Sequence, residues 1–210
     1  MSEKKLGYFV INNTRLSYLY CFEPFIAKPT PQNPKPKPNY CVHALLPPEH
    51  PDLPRLAALI DAVGAAHAWK GEGVTWEMVK AQLKGSDKLC LHRGDVTKAG
   101  KPEYAGQFFL SANNDKRFTT VDGDRTPLTA ADGKLYSGCY GNVIVDIYAQ
   151  DNSWGRRINA TVTGVQFVRH STAFGGGGSG PAAPDEFGIV ATSADAPAPA
   201  ASVDPLGGLV

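Results

Sequence analysis

Aromatic rings interleaved with lysine and arginine are the part of this chain best suited to chemistry. Tyr18, Tyr20 and Phe22 stand near Arg15 and Lys28. Phe108 and Phe109 precede Lys116, Arg117 and Phe118. Tyr136 and Tyr140 flank Ser137-Gly138-Cys139, and Tyr148 and Trp154 precede Arg156 and Arg157. A ring offers its π-face to any base and a cation neutralises a phosphate, so this pairing is the sequence-tolerant chemistry of single-stranded nucleic acid binding. A β-rich domain also spends aromatics on its core, and about half of these rings are expected inside. Lys28, Lys35 and Lys37 have a different setting. Between Pro29 and Pro38, proline recurs at every second position near the end, which forbids helix and favours an extended arm whose lysines face water.

Catalytic patterns are scarce. The chain has no G-x-S-x-G elbow, no G-x-x-x-x-G-K-S/T loop and no H-E-x-x-H pair. Gly175–Gly178 lacks both a strand-to-helix setting and a following lysine. Asp122, Asp124 and Asp132 read as turn residues, Asp146 reads as solvent-facing, and no set of acids recurs on strands as a two-metal nuclease needs. Cys21, Cys41, Cys90 and Cys139 form no C-x-x-C pair. With His43, His50, His67, His92 and His170 they give no zinc spacing, Cys41-x-His43 being the nearest approach. The cysteines read as small, partly buried hydrophobes. These residues imply no enzyme, no metal and no cofactor.

Charge divides the chain. Residues 1–174 hold all 21 basic side chains against 16 acidic ones, a net of +5, while residues 175–210 hold no basic side chain and four acidic ones, a net of −4. A basic body attracts phosphate, and an acid-only tail competes for that surface or recruits partners. The tail opens Gly-Gly-Gly-Gly-Ser-Gly-Pro and continues rich in Ala, Pro, Gly and Asp, so flexibility is expected there. No run of 18 apolar residues is present, and the charged N-terminus carries no apolar leader segment, so the chain reads as soluble, reduced and cytoplasmic.

Behind these residues the periodicities predict mainly strands. In residues 15–22, Leu16, Tyr18, Tyr20 and Phe22 fall on one face of a strand, and Tyr40–Leu46 gives a second, stopped by Pro47-Pro48. A helix follows, capped by Asp52 or a neighbour, with Pro54 in its first turn and the stripe Leu56, Leu59, Ile60, Val63 and Ala66. A shorter helix after Thr75 sets Trp76, Val79 and Leu83 on one side, with Gly85 closing it. Strand signals return at 89–92, 107–113, 117–122 and 142–150, where Val143, Val145, Ile147 and Ala149 alternate and leave Tyr148 outward. Ile158, Ala160 and Val162 alternate until Gly164, where the phase slips to Val165 and Phe167, the mark of a bulge. The opposite side of that strand, Arg157, Asn159, Thr161 and Thr163, is a polar strip beside Tyr148. Short strands with one helical insertion after the second suggest a small, nearly closed β-barrel.

Several segments together resemble a known family: Thr14-Arg15-Leu16-Ser17-Tyr18 with Phe22-Glu23-Pro24, Tyr40 to Pro47, Gly106 to Ala112 with Lys116-Arg117 and Val121-Asp122, Tyr136 to Val143, and Gly164 to Arg169. Over residues 12–170 the chain is similar to the tailed-phage single-stranded DNA-binding proteins, long carried as a domain of unknown function. The resemblance implies an oligonucleotide/oligosaccharide-binding (OB) fold with a helical insertion, serving phage DNA replication or recombination, and brings no catalytic residues. The tail is similar in kind to those of replication single-strand binders, although four acids in 36 residues is sparse.

The reading is a domain over 1–174 that coats single-stranded DNA with little sequence preference, and a tail over 175–210. Tyr18, Tyr20, Phe108, Tyr136, Tyr140, Tyr148 and Trp154 are the stacking candidates. Arg15, Lys28, Lys35, Lys37, Lys116, Arg117, Arg156 and Arg157 are the phosphate candidates. Partners follow: single-stranded DNA, replication proteins through the tail, other copies of the chain on DNA, and no membrane. The rival readings are a β-barrel adaptor that binds a protein and a metal-dependent nuclease.

Overall fold

The computed structural model describes residues 5–31, 33–84, 86 and 88–174. The expectations for the tail and for Gly85 lie outside the described residues. Among the described residues, seven strands and three α-helices follow one another as β1 (Tyr8–Phe25), β2 (Asn39–Leu46), α1 (Asp52–Ala66), α2 (Trp76–Leu83), β3 (Leu91–Arg93), α3 (Gly94–Thr97), β4 (Phe108–Asn114), β5 (Thr119–Val121), β6 (Tyr140–Asn152) and β7 (Gly155–Arg169). Strand β1 pairs antiparallel with β2 on one side and β6 on the other, β2 pairs with β4, and β6 with β7. A parallel contact between Asn113 of β4 and Thr161 of β7 closes the ring. The result is a five-stranded barrel with the connectivity of an OB fold, and the helical insertion follows its second strand. Strands β3 and β5 extend the sheet beside β4 and β7.

Alternation fills the barrel as the residues dictate. Val143, Val145 and Ile147 of β6 face Ile158, Ala160 and Val162 of β7, all at most 5% exposed. Ile144 pairs with Gly164 but Val145 pairs with Val162, so Thr163 is the extra residue of a bulge, and the phase moves to Val165 and Phe167. The bulge lies where the sequence phase slips. All four cysteines are buried, and burial pushes the thiols of Cys21 and Cys90 up to about 12, so they pack as protonated hydrophobes.

Strand β1 departs from expectation in two ways. It begins at Tyr8, because Phe9 and Ile11 alternate inward against β6. Contrary to the strand period, its later half does not place Leu16, Tyr18, Tyr20 and Phe22 on one face. Tyr18 sits at φ +47°, and the register with β2 shifts between Ser17 and Tyr20. Leu16 therefore enters the main core while Tyr18 packs with a separate cluster of Leu45, Tyr104 and Phe109. A left-handed backbone at a bulky residue leaves no trace in hydrophobic periodicity.

The helical insertion is packed, not free. Leu56, Ile60 and Val63 of α1 are buried as expected, while Ala66 is exposed and Gly64 is buried instead, because a Cβ there would come within 2.5 Å of the Trp76 ring. Asp52 does not cap its own helix with its side chain. Its carboxylate accepts from the Asn12 backbone N–H at 2.9 Å and from Arg55 at 3.0 Å, tying the insertion to β1. Thr75 caps α2, accepting from the Met78 N–H.

Candidate nucleic-acid interface

Because Val143, Val145 and Ile147 point inward, Tyr148 points outward, and it is 44% exposed. Asn152 pairs with Gly155 across the β6–β7 hairpin, leaving Ser153 and Trp154 as a two-residue tip. Trp154 is 78% exposed, held at its backbone by an N–H donated to Asn152 Oδ1 at 2.9 Å. Between this hairpin and β3–β4 runs an open groove of about 440 Å³, lined by Tyr148, Trp154, Arg157, Gln150 and Asn159 on one side and His92, Ser111 and Asn113 on the other. Asn159 donates to Gln150 Oε1 at 2.7 Å, which sets both amides in the floor. Of the polar strip of β7, Arg157 and Asn159 line this groove beside Tyr148, while Thr161 and Thr163 lie outside its lining. Its amides Gln150 and Asn113, with Ser111 and His92, carry no signal in sequence, since isolated polar residues on a strand read as solvated surface.

The two adjacent arginines have opposite fates. Arg156 Nε meets Asp151 at 3.3 Å and its Nη2 donates to the Lys70 carbonyl at 2.6 Å, bracing the hairpin against the connection between α1 and α2. The Lys70 backbone N–H, with Arg156 adding to it, holds the Asp151 carboxyl below its ordinary value. Arg157, on the other side of the strand, lines the groove and meets no carboxylate among the described residues.

Beside the groove the outer barrel face is sealed by rings. His92, Phe109, His43 and Tyr18 follow one another across β3, β4, β2 and β1 with centroids 4.9 Å apart at each step. Tyr104 stands edge-on to Phe109 at 4.9 Å, its hydroxyl 2.7 Å from His43 Nδ1. Phe109 and Tyr104 are fully buried. Burial, then the charge of Lys98, pushes the His43 pKa down to about 3, so this imidazole is neutral near pH 7.

A basic arm joins β1 to β2. Lys28, Lys35 and Lys37 are exposed, and no acidic residue occurs between Glu23 and Glu49. At its base Tyr20 contacts Phe25 at 5.1 Å, and the Arg117 guanidinium stands 5.4 Å over Phe22, with Lys116 exposed beside it. Tyr40 pairs with Asn114, and Asn39 meets the side chain of Asn113, a groove residue, so the arm departs from the end of β4 that the groove reaches.

The remaining candidates already have partners within the protein. Arg15 donates to the Thr172 carbonyl at 2.7 Å and the Gly138 carbonyl at 3.2 Å, and lies 4.2 Å over the Phe174 ring. Tyr136 donates to the Ser171 carbonyl at 2.8 Å and accepts from the Ser171 N–H at 3.1 Å. Tyr140 lies under Arg169 at 3.4 Å. Phe108 is half-buried against the core with Arg93 at 5.9 Å from its ring. Of the ten rings named at the outset, Phe109 and Phe118 are buried, Tyr148 and Trp154 are exposed, and six lie between.

Comparison with known proteins agrees with this architecture. The family model for the ssDNA-binding protein of Enterobacter phage Enc34 matches residues 8–197. Protein p50 of Acyrthosiphon pisum secondary endosymbiont phage 1 is 34% identical over 170 residues, 80% of this chain and 86% of that protein. The solved single-stranded DNA-binding protein from bacteriophage Enc34 in complex with ssDNA superposes with a TM-score of 0.64 at 23% identity, covering 81% of this chain and 91% of that one. A C-terminally truncated form of the same phage protein gives 0.62 at 22% identity, covering 81% and 90%. At that identity the two structures establish the fold.

Proposed function

The chain belongs to the Enc34 phage ssDNA-binding family, and from that premise we propose that it binds single-stranded DNA in the groove beside the β6–β7 hairpin, coating it with little sequence preference. The observation that carries this reading is the convergence in one groove of two exposed rings, Tyr148 and Trp154, with Arg157, which meets no carboxylate among the described residues. Bases stack on the rings, and Arg157 takes a phosphate. Lys28, Lys35, Lys37, Lys116 and Arg117 extend the positive field past the Asn113 end of the groove. The protein acts by sequestering strands, in phage DNA replication or recombination within the host cytoplasm, and catalyses nothing. The body spans 1–174, and the acid-only segment 175–210 contacts replication proteins.

Anisotropy of a labelled oligothymidine, titrated with the full chain at low and moderate salt, tests the reading. Binding that weakens steeply with salt is expected, since single strands release counterions at about 0.7 per phosphate contacted. No binding at low salt and micromolar protein overturns it. Removal of residues 175–210 should tighten binding, because it deletes four negative charges and no positive ones.

A further inference from the structure

Lys98 and Lys101 carry no motif, yet the fold brings both over one ring. Lys98 Nζ lies 4.7 Å from the centroid of Tyr18 and Lys101 Nζ lies 5.7 Å from it. Neither meets a carboxylate within ion-pair distance among the described residues. The nearest acids in sequence are otherwise placed: Asp95 Oδ1 accepts from the Gly106 N–H at 2.8 Å, and Glu103 belongs to the short turn that carries Tyr104. The field of Lys98 reaches further than Tyr18, for it also acts on His43 and on Cys41.

Tyr18 is turned toward these lysines by a left-handed backbone, which is costly for a bulky residue and persists where the surroundings enforce it. The ring alone offers each ammonium a modest cation–π attraction, while two like charges beside one ring repel each other. An anion seated between them relieves that repulsion. The position relates directly to the groove. His92, a groove wall, begins the file of rings that ends at Tyr18, and α3, which follows β3 without a break, delivers Lys98 at its end.

We propose that Lys98 and Lys101, held over Tyr18, form a second anion site that takes backbone phosphodiesters of the strand as it leaves the groove past His92. The proposal rests on the reading of the groove as the site of single-stranded DNA. It gives the strand a path with two anchors: rings and Arg157 at the hairpin, paired ammonium groups beyond the sealed face. Phe109 and His43, shielded between them, take no base.

The test is the salt dependence of oligothymidine binding by the full chain, read by anisotropy. Each phosphate contact on a single strand contributes about 0.7 to the slope of log affinity against log salt, so Lys98→Ala/Lys101→Ala should reduce that slope by about 1.4. Lys98→Arg/Lys101→Arg should restore it. Trp154→Ala should weaken binding with the slope unchanged. If the alanine pair does not fold, Lys98→Gln/Lys101→Gln keeps the length of both side chains and carries the same expectation. A folded double variant with an unchanged slope, beside a Trp154→Ala variant that binds more weakly, overturns this second site and leaves the groove intact. An unaltered chain that binds no strand at low salt overturns the groove reading and the proposal with it.

Discussion

Two regions of the barrel hold the same residue types and use them in opposite ways. At the β6–β7 hairpin, Tyr148, Trp154 and Arg157 face solvent around an open groove. Around Gly138, Tyr136, Tyr140, Arg15 and Arg169 are engaged with one another's neighbours: Arg15 with the Thr172 carbonyl, Tyr136 with both backbone groups of Ser171, Arg169 with the Tyr140 ring. Gly138 makes the second region possible. At φ +119°, it lets residues 172–174 approach so closely that a Cβ would lie 2.4 Å from the Thr172 carbonyl oxygen. Composition therefore does not separate a ligand surface from an internal clamp. What separates them is whether the polar ends of the side chains already have partners, since a satisfied cation has little left to offer a phosphate.

The comparison breaks most sharply at Gly138. Gly138→Ala introduces both a strained φ, costing about 1–3 kcal/mol, and a clash with backbone that cannot yield cheaply. A large fall in melting temperature is expected, with DNA affinity of the folded fraction unchanged. A stable Gly138→Ala variant would mean that residues 172–174 are not clamped. Trp154→Ala should do the reverse: binding to oligothymidine weaker by about 1–3 kcal/mol with an unchanged melting temperature, because the ring is 78% exposed. Loss of stability without loss of binding would assign Trp154 to the wrong region.

His43 sharpens the contrast between the sealed face and the open groove. Its folded pKa, about 3, lies below its ordinary 6.5, so the unfolded chain takes up a proton that the folded chain refuses. Its contribution is fully present above pH 6.5 and is lost as pH falls toward 3, at up to about 1.4 kcal/mol per pH unit. Urea unfolding across that range should show this slope, and His43→Gln should flatten it. An unaltered slope would mean that the ring is wet. The smallest effect separates the two arginines. Arg157→Ala should lower the salt slope of DNA binding by about 0.7 and leave stability alone. Arg156→Ala should cost about 1 kcal/mol of stability through its lost hydrogen bonds and leave the slope alone.

Much of the barrel was legible because its signals are local. The alternation of Val143, Val145 and Ile147 needs only the strand's own two-residue period, and the slip at Gly164 marked the bulge that the register confirms at Thr163. The stripes of α1 and α2 were equally plain, apart from the exchange of Ala66 for Gly64, which depends on the Trp76 ring from the next helix. Tyr148 and the Arg157–Asn159 strip followed from the same period. The fate of Arg156, the turn of Tyr18 out of its strand's pattern, and the placing of Lys98 and Lys101 were not legible, because each depends on residues between 25 and 86 positions away.

The amino-acid sequence by itself determined the basic body, the acid-only segment after residue 174, the strand periods and the helical insertion, since charge and hydrophobic spacing are properties of the chain in any conformation. Tertiary structure alone decided which rings and which cations remain available. Availability is a balance between partners brought together by closing the barrel, and a linear order of residues does not contain the distances on which that balance depends.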